Sequence, residues 1–159
     1  MRSPWQVTFD AKMGGPSEAI TFDQLTDWTK HDDARIKYYA GTAIYRNTFN
    51  LKQKVPHASY CLETGKLSGA AEVLINGQTA GIIWCSPWRL DITTLLHEGD
   101  NQIELRVANC LWNRLVGDAR LAESERIIHQ THPLAKPADA LLPAGLIGDV
   151  RISVSTPKM

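Results

Sequence analysis

The stretch EVLINGQTAGIIWCSPWRLDITTLLHEGDNQIELRV, Glu72 to Val107, decides the fold. Asn76-Gly77 separates two apolar runs, and Asn followed by Gly tolerates the positive φ angles that a two-residue hairpin between right-twisted strands needs. The chain is therefore expected to fold Ala71–Ile75 back onto Gln78–Ile83. Trp84-Cys85-Ser86-Pro87-Trp88-Arg89 follows, and its proline cannot donate to a strand ladder, so the chain is expected to leave the sheet there. A second turn is expected at Gly99-Asp100-Asn101. Beyond it Ile103, Leu105 and Val107 alternate with Gln102, Glu104 and Arg106, which predicts a strand with one buried and one wet face.

Working outward, Trp5-Gln6-Val7-Thr8-Phe9 reads as a first strand, closed by the turn-forming Gly14-Gly15-Pro16. Ile20, Phe22, Leu25 and Trp28 are apolar anchors that lash an N-terminal segment across the domain. Ala43–Leu51 is rich in aromatic and β-branched residues and predicts a long strand, and Ala58–Gly65 predicts the next. Asp91–Leu96 is expected as a helical turn or a bend, and Ala108–Asp118 as a mixed polar segment. Residues 120–130 suit a short helix, with Leu121, Ile127 and Ile128 on one face. Pro133, Pro137 and Pro143 mark an extended surface excursion over 119–143, and Val150, Ile152 and Val154 alternate in a last strand. Seven or eight short strands with little helix predict an all-β chain, an antiparallel β-sandwich of jelly-roll type, with residues 1–159 as one domain. An up-and-down barrel is the structural alternative.

Composition bounds the function. The 159 residues suffice for a core without staples, and 43% hydrophobic with 21% charged residues is ordinary for a globular protein. Seventeen Lys plus Arg against seventeen Asp plus Glu leave no basic field, which argues against a nucleic-acid partner. No apolar run approaches the length of a bilayer span, so no membrane partner is expected, and the start Met1-Arg2-Ser3 carries no recognisable address. Cys61, Cys85 and Cys110 suggest neither a disulfide framework nor a zinc site, and Cys61 is expected as a small buried thiol. No cofactor is expected. Asp32-Asp33 offers two oxygen donors to a structural calcium ion, only part of the shell that ion needs.

The run Ile36 to Tyr45, Phe49, Val73-Leu74-Ile75-Asn76-Gly77, Gly81, Trp84 with Pro87, Asp91-Ile92-Thr93, Gly99-Asp100-Asn101 and Val107-Ala108-Asn109 resembles the galactose-binding-like β-sandwich of glycoside hydrolases, including the sugar-binding domain of family 2 enzymes. Asn113–Asp118 and Leu142–Gly148, with Pro4-Trp5, Gly14-Gly15-Pro16 and Leu25–Trp28, are similar more specifically to the C-terminal domain of family 106 α-L-rhamnosidases. The likeness covers nearly the whole chain and departs from the pattern at Asp149, where proline is expected before Val150. It implies that the catalytic carboxylates lie in a separate, larger domain. It also implies that this chain is an accessory module of such an enzyme, with carbohydrate and a catalytic domain as its partners.

The residues themselves fit that implication. Glycoside hydrolysis needs two carboxyl groups at a fixed separation, and Glu63, Glu72, Asp91, Glu104 and Asp118 sit in no context that announces such a pair. A nucleophile elbow is absent as well. Sugar binding asks instead for an aromatic ring against the C–H face of a pyranose and for planar polar groups toward its hydroxyls. Trp84, Trp88 and Arg89 form one such set, and Trp112, Asn113, Arg114 and Asp118 another. For Trp84 and Trp112 burial in the core is the preferred reading, since large aromatics are mostly buried. Asn113, Arg114 and Asp118 read equally as a buried polar clamp on the excursion. Three functions follow in order: a carbohydrate-binding module, a docking domain that packs on a catalytic domain, and a stand-alone hydrolase.

Overall fold

A computed structural model describes residues 4–156; residues 1–3 and the last three of the polar tail lie outside the described residues. Eleven strands are present among the described residues: β1 (Trp5–Thr8), β2 (Ile20–Phe22), β3 (Thr42–Leu51), β4 (Ser59–Glu63), β5 (Lys66–Ser68), β6 (Ala70–Ile75), β7 (Gln78–Ile83), β8 (Arg89–Asp91), β9 (Gly99–Ala108), β10 (Gly145–Ile147) and β11 (Arg151–Ser155). Two short helices join them, α1 (Ala34–Lys37) and α2 (Trp112–Asp118). One layer is an antiparallel six-stranded sheet in the order β2-β1-β3-β9-β6-β7. The sheet β11-β4-β8 and the pair β10-β5 supply the residues that face it across a shared core. This is the antiparallel sandwich that the alternating pattern predicts.

The hairpin forms as its sequence dictates. Asn76 and Gly77 adopt φ of 53° and 78°. Asn76 does more than turn the chain: its side chain donates to Leu95 O and to Asn101 Oδ1, both at 2.9 Å, and accepts from Gln102 N at 2.9 Å. The hairpin is thereby locked to β9. A register shift between Val73 and Leu74 leaves an extra residue on β7, the arrangement of a β-bulge, which strengthens local twist. On β9, Ile103, Leu105 and Val107 are buried while Gln102 and Arg106 are exposed, as period two requires.

The N-terminal anchors act through an aromatic cluster. Trp28 is fully buried, stacks on Tyr45 with ring centroids 6.4 Å apart, and donates from Nε1 to the Tyr45 hydroxyl at 2.6 Å. Burial pushes the Tyr45 phenol well above its ordinary pKa, so it stays neutral and serves as a hydrogen-bonding post. Phe9 and Tyr39 pack edge-on against Trp28. Gly145 sits at φ 89°, and a Cβ there would lie 2.4 Å from Trp28 Nε1, so only glycine lets the chain pass the indole. Trp28 N donates to Ala144 O and Gly148 N to Leu25 O, both at 3.0 Å, which straps the N-terminal segment to the chain around β10.

Several expectations need correction. Gly99-Asp100-Asn101 opens β9 rather than forming a turn: the three residues pair with Leu51, Asn50 and Phe49. The buried Asn101 side chain, bonded to His97 N, His97 O and Gly99 O, closes the preceding bend. The helix expected at 120–130 is only a single 3-10 turn, Glu123–Glu125, with Leu121 left exposed. The helix is instead α2, where Leu115 and Val116 pack with Ala135 in a small second core. A seven-residue helix is too short to print a period, and half of its buried residues are polar, so amphipathicity did not mark it. On β11 the alternation fades, for Val150 is buried but Val154 is exposed at the end of the strand. Cys61 is only half-buried, and all three cysteines are free thiols.

Candidate functional site

The residues singled out from sequence fall into two separate groups, and among the described residues no hydrogen bond or ion pair joins them. The first lies on the link from β7 to β8. Trp84 follows the edge strand of the large sheet and is 70% exposed, contrary to the expectation of burial, because among the described residues β7 has no strand on its other side to cover what comes after it. Trp88 is half-buried against the main core, and its carbonyl accepts from Thr64 N at 2.8 Å. Arg89 is exposed at the start of β8, in register with Glu63. Glu63 also takes Arg151 Nε at 2.7 Å and the Ser153 hydroxyl at 2.8 Å. These bonds, that of Arg151 first, hold its carboxyl below the usual range. The link thus presents an open indole face, with Ile82 also exposed on the adjoining strand and a guanidinium close by in sequence.

The second group lies on α2. Asn113 grips the excursion by donating from Nδ2 to Leu142 O at 2.7 Å and accepting from Leu142 N at 2.9 Å. Asp118 is fully buried; one oxygen accepts from Ile128 N at 2.8 Å and the other faces Arg114 Nη1 at 3.4 Å. Arg114 is 5% exposed, and its Nε and Nη2 are buried without a hydrogen-bond partner among the described residues. Trp112 is half-buried and donates to Ala140 O at 2.9 Å. Asn113 and Asp118 therefore spend their side-chain bonds on main chain of 128–142, which is the arrangement of a clamp. Gly117 allows α2 to approach Tyr38, whose Cβ would be 2.7 Å from a glycine Cβ.

The acids weighed as a hydrolytic pair are scattered and engaged. Glu72 pairs with Arg106 at 3.2 Å, and Asp91 accepts from Thr93 N at 2.8 Å. Glu104 bridges Arg46 at 2.8 Å and Arg106 at 2.7 Å. Burial works to raise the Glu104 pKa, but the hydrogen bonds from Arg106 and Arg46 outweigh it and the net direction is down. The Asp91 carboxyl is held low by its bonds from Thr93. Of the two acids considered for calcium, Asp33 caps α1 by accepting from Arg35 N at 2.8 Å and takes the Arg35 guanidinium as well. That bond lowers its pKa, while Asp32 is exposed. Among the described residues no group of three or more His, Cys, Asp and Glu is placed to hold a metal.

A third feature was not singled out from sequence. The open face of the six-stranded sheet carries a groove of about 610 Å³, with Gln6, Arg46, Asn47, Gln102, Glu104 and Arg106 among its polar walls and Leu74 as its apolar floor. Period two marks Gln102, Glu104 and Arg106 as a wet face. The register that sets Arg46 opposite Glu104 brings these residues together along the groove.

The family model of the glycosyl hydrolase 2 galactose-binding domain-like domain matches residues 23–135. A putative beta-glucuronidase of Formosa agariphila is 32% identical over an alignment that takes in 97% of this chain and 15% of that protein. Among solved structures, a rhamnosidase from Novosphingobium sp. PP1Y superposes with a TM-score of 0.91 at 35% identity, over 98% of this chain and 15% of that one. A β-glucuronidase from Ruminococcus gnavus shares the fold, with a TM-score of 0.57 and 18% identity over 69% of this chain and 21% of that one. The chain thus spans about 15% of the length of the first two relatives. On residues 23–135, seated in a sandwich that matches a rhamnosidase domain nearly end to end, the chain belongs to the galactose-binding domain-like family of glycosyl hydrolase 2.

Proposed function

We propose that the chain serves as a non-catalytic accessory module of a larger glycoside hydrolase, and that it meets carbohydrate at the link carrying Trp84, Trp88 and Arg89. The observation that carries this reading is the exposure of Trp84. Trp5 and Trp28 are buried, as the hydrophobic effect favours, whereas Trp84 leaves most of its ring in water at the rim of the sandwich. An open indole beside a guanidinium supplies an apolar platform for a pyranose and donors for its hydroxyls. The state of the acids supports the non-catalytic part. A general acid needs a raised pKa, whereas Glu63, Asp91 and Glu104 are all displaced downward. Trp112, Asn113, Arg114 and Asp118 enter this reading as supports of the excursion.

Calorimetric titration against rhamnose-containing and galactose-containing polysaccharides tests the binding role. Binding is expected, with loss on Trp84→Ala and weakening on Arg89→Ala. Absence of binding, or binding indifferent to Trp84→Ala, overturns it. Hydrolysis of aryl rhamnosides or galactosides by the purified chain, abolished by changing one acid, overturns the non-catalytic role.

A second reading, docking onto the catalytic domain of the same enzyme, is favoured by Leu111, Leu134 and Leu142. These are exposed on the chain that flanks the second core. It predicts self-association of the isolated chain that Leu134→Lys relieves. Light scattering from a strict monomer at high concentration counts against it.

A further inference from the structure

We propose that the groove on the open face of the six-stranded sheet is a second binding site, built for a carboxylated sugar such as a uronate unit of an acidic glycan. Cross-strand registry is what assembles it. Arg46 on β3 stands opposite Glu104 on β9, and Arg106 stands opposite Glu72 on β6. Glu104 takes Nε of both arginines, and Arg106 Nη1 reaches Glu72. The ion pairs hold the two guanidinium groups in place yet leave donors unused: among the described residues the Nη1 and Nη2 of Arg46 and the Nη2 of Arg106 make no hydrogen bond. Both side chains remain about half exposed, at 50% and 43%. Guanidinium groups already oriented by a neighbour lose little freedom on binding; the Nη1–Nη2 edge of Arg46 is a fork that matches a carboxylate, and Arg106 adds a single Nη2 donor.

The rest of the lining selects the class of ligand. Among the described residues Arg46 and Arg106 are balanced by Glu104 and Glu72, so selection for a carboxylate comes from the guanidinium N–H groups left unused rather than from a net charge. A phosphodianion fits less well, because the ionised Glu104 stands between the arginines. Among the described residues the lining contains no aromatic ring on which a base would stack. Gln6 and Gln102 add amide donors and acceptors for hydroxyls, and Leu74 and Pro4 supply an apolar surface for a C–H face. The volume of about 610 Å³ is that of a small-molecule site rather than a protein interface. None of these residues belongs to the Trp84 link, so the two sites stand or fall separately.

Calorimetric titration of the chain with trigalacturonate, and with the same oligomer after reduction of its carboxyl groups, is the test. The acid form is expected to bind at least about tenfold more tightly than the reduced form, a difference that added salt diminishes. Arg46→Ala and Arg106→Ala are each expected to weaken the acid form by about tenfold, with Arg46→Lys intermediate because it keeps charge but loses the fork. These exposed ion pairs add little to stability, so circular dichroism should find the variants folded. Each titration is run on the Trp84→Ala chain, so that neutral-sugar binding at the link does not enter the comparison. Equal affinity for the two oligomers, no binding of the acid form, tighter binding of inorganic phosphate, or indifference to Arg46→Ala overturns the proposal. Loss of neutral-glycan binding in Trp84→Ala concerns the other site alone.

Discussion

Two regions of this sandwich have the same residue chemistry and opposite physical roles. The β7–β8 link and helix α2 each combine tryptophan with arginine, and α2 adds an amide and a carboxylate; as sequence both suit a sugar. In the structure α2 is folded inward: Asn113, Arg114 and Asp118 are buried, Asn113 and Asp118 bond to main chain of the excursion, and Arg114 pairs with Asp118. The link is turned outward, with Trp84 and Arg89 in water. The difference is one of what covers them. Residues 119–142 close over α2, while among the described residues no strand pairs with the outer edge of β7. A polar group in the first setting acts on stability, and one in the second is available to a ligand.

The contrast breaks first, if it breaks, at Asp118. Asp118→Ala removes a buried partner from Arg114 and from Ile128 N, and urea denaturation is expected to register a loss of about 3–5 kcal/mol. Because Arg114 already has two unpartnered nitrogens, the double change Arg114→Met with Asp118→Asn should recover part of that loss. A double variant as unstable as the single one would show that the pair is not the weak point. Next in size, Asn113→Ala should cost about 1–3 kcal/mol by orphaning the Leu142 main-chain groups. Limited proteolysis should then cut within 119–143 faster than in the parent chain. Cleavage at unchanged rate would disconnect the clamp from the excursion.

On the other region, Trp84→Ala is expected to change stability by no more than about 0.5 kcal/mol, since the ring is mostly in water. A larger drop in urea denaturation would mean that the indole is structural after all. The smallest effect is that of pH at Glu63. Its folded pKa lies below the ordinary 4.5, so its contribution is complete above that value and is lost as pH falls through the lowered one. Thermal melting of Glu63→Gln should lie slightly below the parent near neutrality and converge with it as the pH falls below about 4, a shallower decline. Equal slopes for both chains would remove Glu63 from the acid response.

Much of the scaffold was legible along the chain because its signals are local. Turn chemistry at Asn76-Gly77 and period-two burial at Ile103, Leu105 and Val107 need only neighbours in sequence, as does the aromatic and β-branched run over 43–51. The amino-acid order by itself determined that these segments pair into an antiparallel sandwich and that the N-terminal anchors cross it. The tertiary structure alone decided which polar residues are clamped and which are open. It also decided that Arg46 meets Glu104, fifty-eight residues away, to wall a groove. Strand propensity and alternation specify which way a side chain leaves its own strand; its partner is set by long-range register and by whichever segment comes to lie on top, and neither is written in the neighbouring residues.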